Sequence, residues 1–293
     1  MHESPSLPIR VARLIGFGLL ALIITAVAGG TWTSLLISNL RSAPAVPWSV
    51  PLMALLLWLI WSYLGGTGWP HSTSESRHRH LRANRSSLAV YSWALFTGVL
   101  SVIALAGLWI ALFQLVPMEP NALPSTVGYP RFTIALMILM GSLVAPVAEE
   151  ASFRGYFQVE LESQFSPATA VAVSSLLFAM AHFTHGLYWP KLLVYFLVGI
   201  AFGTTACLTN STLPAIAPHI VGDLTFFIWV WPYDATRKLI WQSGANRWFW
   251  IHVAQAIVFG AIAIWGFARL ADIATRDAGA ETAGMGTQRT VAL

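Results

Sequence analysis

Charge is what this sequence has least of. Only 10% of its 293 residues are Asp, Glu, Lys or Arg, against 56% hydrophobic, and the mean hydropathy is +0.66. A soluble domain carries about a quarter charged residues because its surface must face water. The shortage excludes a soluble globular enzyme, a disordered chain and a coiled coil, and it leaves an all-α polytopic membrane helical bundle. Cysteine is nearly absent as well. The single Cys207 sits in an apolar stretch, so there is no disulfide framework and no cysteine-based zinc site. The sequence has no His-Glu-x-x-His either, which excludes the familiar zinc helix. Its net charge of +4 comes from basic residues spread over loops and tails, and it reflects membrane topology rather than nucleic-acid binding.

What is present is long apolar runs. A spanning helix needs roughly 20 apolar residues, and about eight such stretches lie near 11–38, 47–66, 88–116, 132–155, 166–185, 191–209, 213–231 and 249–268. The first is too long for a signal peptide and ends in no Ala-x-Ala site, so it is expected to be retained. The one long polar segment, Thr67–Ser87, holds Arg77, His78, Arg79, His80, Arg82 and Arg85 and is expected to be a solvated cytoplasmic loop near anionic lipid. The Lys and Arg bias places both termini in the cytoplasm. The expected organisation is residues 1–130 as three N-terminal spans with the basic loop, 131–231 as a core of further spans, 232–270 as the last span, and 271–293 as a disordered tail.

Nine of the 12 acidic residues fall in predicted loops, tails or interfacial segments. Glu149, Glu150 and Asp223 remain inside apolar segments, as do His182 and His219, with His185 and His252 near predicted ends. A charge at membrane depth costs roughly 3 kcal/mol or more unless partnered, so these residues mark a candidate site between the fourth, fifth and seventh spans. Arg154 is four residues after Glu150 and can pair with it, leaving Glu149 free to face a cavity as a general base. Phe178 lies one turn before His182 and can pack over its ring. His219 and Asp223 share a helix face, while Pro214 and Pro218 loosen the backbone before them. For Glu149 and His182 to meet, the fourth helix must continue to about Leu161, roughly 45 Å from Phe132.

The ordered set Glu149-Glu150 with Arg154, Phe178 with His182, and His219 with Asp223 resembles the CPBP intramembrane proteases, also called the CAAX-protease and bacteriocin-processing or Abi family. The resemblance covers roughly Phe132 to Trp231. It implies that Glu149 and His182 activate a water against a peptide bond, that His219 and Asp223 stabilise the oxyanion or hold a metal, and that Glu150, Arg154 and Phe178 support them. Asp223 stands where many relatives carry Asn, and an ionised carboxylate would repel an oxyanion. Glu149, His182, His219 and Asp223 are also four N/O donors suited to Zn²⁺, and the sequence leaves the metal open. The implied substrate is a membrane-associated protein or peptide reached through the lipid bilayer, with no nucleic acid. The short loops and compact length look bacterial, which implies the plasma membrane of a bacterium. Two other readings compete: a proton- or ion-coupled transporter, and a non-catalytic membrane scaffold or immunity protein.

Overall fold

The computed structural model describes residues 6–122 and 125–291, and among these it is all helix, without a strand. The first five residues and the last two lie outside the described residues. In chain order, α1 (Leu7–Ser42) and α2 (Ser49–Leu64) precede a short α3 (Ser74–Leu81) and then α4 (Leu88–Leu115). Next, α5 (Arg131–Glu149) runs into a π-helical segment (Glu150–Phe157) and a last α-turn, α6 (Gln158–Glu162). The rest comprises α7 (Pro167–Ala181), α8 (Trp189–Thr209), α9 (Leu213–Thr225), a short α10 (Ile240–Ser243) and α11 (Arg247–Val291).

Six of these rods among the described residues are long and apolar enough to cross a membrane. The expected second and fifth spans are shorter helices, α2 with 16 residues and α7 with 15. At 1.5 Å per residue they rise only about 24 and 22 Å against a hydrocarbon core of about 30 Å. The expected stretches overrun α2 by Pro47, Trp48, Gly65 and Gly66 and α7 by Ser166 and residues 182–185, so the described residues hold six helices of spanning length and two shorter apolar ones where eight spans are expected. The extension of the fourth span is observed, because Arg131–Glu162 is one 32-residue rod of roughly 48 Å. The last helix continues to Val291, through the segment read as an unstructured tail. Alanine, the best helix former, is frequent in that segment.

The Arg/His-rich segment is not the solvated loop its composition suggested. Arg77, His80, Leu81 and Arg82 are buried, whereas His78, Arg79 and Arg85 are exposed. Arg77 donates to the carbonyls of Tyr63, Thr67, Gly68 and Pro70, stitching the α2–α3 connection together. Arg82 pairs with Glu162 and donates from Nη2 to the carbonyl of Arg154 at 3.1 Å. That second bond reaches the π segment, where Ser174 Oγ also donates to the carbonyl of Phe153 at 3.0 Å. Donors from outside the rod therefore bind carbonyls of the π segment directly, tying this irregular stretch of helix to its neighbours. Gly155 permits the approach, since a Cβ there would stand 2.8 Å from the carbonyl oxygen of His80.

Two acidic residues assigned to loops are also buried. Glu160 binds Arg13 at 2.7 Å, and Asp234 binds Arg237 at 2.9 Å and accepts from Trp109 Nε1 at 2.9 Å. The N-terminal helices are more than apolar filler. Packing of α1 and α4 around the π segment and α9 places Phe153, Phe157, Phe178, Trp109 and Tyr195 in one core. In α9, Pro214 sits in the first turn, where its missing N–H costs nothing. Pro218 lies inside the helix with its ring against Gly98 of α4, which has no Cβ to block it. The helix is thus continuous through both prolines, and the departure from α geometry comes later, in a π turn at Phe226–Val230.

Candidate active site

The rod α5 delivers Glu149 at its last α-helical residue and Glu150 at the first residue of the π segment. Adjacent residues on a helix point about 100° apart, and here the difference is spanned by a single imidazole. His219 of α9 donates from Nδ1 to Glu150 Oε1 at 2.7 Å, while its Nε2 lies 3.6 Å from Glu149 Oε2 and 3.8 Å from Asp223 Oδ1. The ring is buried and stacks on Phe202 of α8, with centroids 4.7 Å apart. Arg154 approaches Glu150 Oε1 at 3.3 Å, as the i,i+4 spacing predicts, and its guanidinium lies over the Phe178 ring at 4.3 Å.

His182 is placed differently from its sequence reading. It caps the C-terminus of α7 rather than sitting within the helix. Its Nδ1 donates to the carbonyl of Phe178 at 2.8 Å, and its ring lies 4.7 Å from Phe178 and stacks on Tyr195 at 4.2 Å. Phe178 therefore packs against the imidazole as expected and also carries the Arg154 guanidinium. Glu149, His182, His219 and Asp223 all line one cavity of about 560 Å³. The contacts formed directly are those of His219 with the three carboxylates, and His182 lines the same cavity.

Several contributors escaped the sequence reading because they carry no charge or belong to helices without a motif. Thr25, Gly29 and Trp32 of α1, Ser101 of α4, and Tyr195 and Phe202 of α8 line the same cavity. Thr25 Oγ1 also shares a 2.9 Å hydrogen bond with Ser152 Oγ of the π segment.

The chemistry of Glu149, His182, His219 and Asp223 suits Zn²⁺, and Glu150 on the far nitrogen of His219 is the orienting partner that metal-bound imidazoles use. Their placement does not match that chemistry. Among the described residues no group of three or more His, Cys, Asp or Glu side chains is set to hold a metal ion, and His182 turns its Nδ1 to its own helix.

Fold and site together define an integral membrane protein with a carboxylate–imidazole cluster inside an apolar cavity. Residues 131–225 match the family model described as type II CAAX prenyl endopeptidase Rce1-like, a CPBP family of membrane proteases. The matched segment contains all three motifs, so the resemblance drawn from them holds over those residues. No curated protein and no solved structure matches the chain.

Proposed function

We propose that this protein is an intramembrane endopeptidase that hydrolyses a peptide bond of a membrane-associated protein or peptide, with Glu149 as the base. The observation that carries the reading is the convergence of Glu149, His182, His219 and Asp223 on one cavity lined mostly by apolar side chains. A carboxylate shielded from bulk solvent is a competent base for a single bound water. Glu149 takes a proton from that water, and the water oxygen bonds to the carbonyl carbon. The tetrahedral species then collapses with cleavage of the C–N bond, and the proton passes to the departing nitrogen. The products are a carboxylate and an amine.

The supporting residues have separable tasks. His182 Nδ1 is engaged by the Phe178 carbonyl, so Nε2 keeps the lone pair that holds the second hydrogen of the water. His219, fixed by Glu150, sets the position of Glu149. The description of the matched family makes prenylated peptides the first substrate class to try.

The test is peptidomics on membranes carrying the wild-type chain or Glu149→Gln. We expect peptides present only with the wild type. Identical peptide sets from both, with equal amounts of protein in the membrane, would overturn the proposal.

A further inference from the structure

A second hydrogen-bonded chain approaches the cavity from α8, and its donor direction is set at one end. Lys191, 1% exposed, donates from Nζ to the carbonyl of His185 and to Asn121 Oδ1, both at 2.6 Å. An ammonium can only donate, so Asn121 turns its oxygen to Lys191 and its amide to Tyr195, where Nδ2 lies 3.4 Å from Oη. The Tyr195 oxygen accepts that bond, and its own hydrogen goes to His185 Nδ1 at 2.6 Å. If His185 Nδ1 carried the hydrogen instead, the buried Tyr195 hydroxyl would face two donors and have no acceptor, a costly arrangement. The chain Lys191–Asn121–Tyr195 therefore places the single ring hydrogen of His185 on Nε2. That nitrogen has no partner among the described residues, and His185 lines the cavity.

Two neighbouring imidazoles thus hold opposite tautomers. The rings of His182 and His185 are 5.5 Å apart. His182 offers a lone pair at Nε2, and His185 offers an N–H. The cavity needs such a donor, because the two residues that the motif assigns to the oxyanion are otherwise engaged. Asp223 is a carboxylate, and His219 has Nδ1 on Glu150 and Nε2 between Glu149 and Asp223.

Resting on the endopeptidase reading, we propose that His185 is a further catalytic residue. Its Nε2–H donates to the carbonyl oxygen of the scissile bond and to the negative charge that oxygen acquires, while Tyr195, Asn121 and Lys191 are positioning residues that aim it.

The test has two arms on the full chain in lipid nanodiscs. In the first, ¹⁵N-histidine NMR should find the His185 hydrogen on Nε2, and Tyr195→Phe should convert it to a mixture of tautomers. A hydrogen on Nδ1 in the wild type would overturn the proposal. The second uses a quenched-fluorescent peptide copied from a Glu149-dependent cleavage site. His185→Leu should lower kcat about 10²- to 10³-fold, the usual loss for one oxyanion donor, with KM within a few-fold. His185→Gln, which keeps an N–H, should recover part of the rate, and Asp223→Asn should rescue His185→Leu. Full kcat in His185→Leu, or a change confined to KM, would refute the role. Absence of Glu149-dependent cleavage by the wild type would instead sink the endopeptidase reading and the oxyanion role together, with the tautomer assignment left standing.

Discussion

Removing Arg154 tests the electrostatic core of the site. Glu150 is fully buried and Arg154 is 1% exposed, so neither charge can turn to solvent. Their closest atoms are 3.3 Å apart, and Nη1 and Nη2 of Arg154 make no hydrogen bond, the cation resting on Phe178 instead. In Arg154→Met the Glu150 carboxylate keeps only His219 as a partner. Leaving one member of a buried pair uncompensated costs about 3–5 kcal/mol. At about 2–4 °C per kcal/mol for a domain of this order of size, the melting temperature should drop on the order of 10 °C. Glu150→Gln should also destabilise, because it strands the guanidinium. The double variant should lose less than the sum of the singles by about 1–3 kcal/mol, as expected for groups in contact. The assay is thermal unfolding of purified protein in one detergent, followed by fluorescence of its 14 tryptophans. Additive losses in the cycle, or a single variant that melts with the wild type, would refute the pairing.

The remaining predictions address other parts of the molecule. Gly29 lines the cavity, and a Cβ there meets nothing within 4 Å. Gly29→Leu should therefore leave the melting temperature near wild type while raising KM or abolishing cleavage in the peptide assay, and unchanged kinetics would exclude that end of the cavity from substrate binding. Arg82→Ala should destabilise by about 1.5–3 kcal/mol, the range for hydrogen bonds to charged groups, whereas exposed Arg79→Ala should melt with the wild type. Equal stability of the two would return the basic segment to a solvated loop. Elemental analysis of purified active protein should find zinc well below one per chain, and a chelator should leave the rate unchanged. Stoichiometric zinc that disappears together with activity would refute this expectation.

The sequence made the site legible wherever the signal was local. Glu150 with Arg154, Phe178 with His182, and His219 with Asp223 are i,i+4 pairs, and each lies within contact of its partner. The extended fourth rod was also readable, because two groups expected to meet constrained its length. Three features were not readable. Burial of Glu160 depends on Arg13, 147 positions away, and burial of Arg82 on Glu162, 80 positions away. Sequence spacing carries no information about such partners, so both residues looked like ordinary surface charges. The π segment has no composition of its own, and the donors that bind it come from Ser174 of α7 and from Arg82 just past the end of α3.

Glu149 and Glu150 are neighbours in sequence with unlike surroundings, and the helix explains the difference. Two carboxylates 100° apart cannot approach the same atom from one direction. They can approach the two nitrogens of one imidazole from opposite sides, and His219 is inserted to receive them in that way. Glu150 holds the ring by a short bond and is sealed off completely. Glu149 stands off at 3.6 Å and opens on the cavity. The first carboxylate has given up its freedom to a hydrogen bond, which makes it a support. The second is aligned by the same ring without a short bond to it, which is what the proposed role as base asks of it. The same division recurs between the histidines, where His182 spends its hydrogen on the Phe178 carbonyl and His185 receives one from Tyr195. In both pairs, the bond made on the protein side decides what the residue would offer to the cavity under the proposed mechanism.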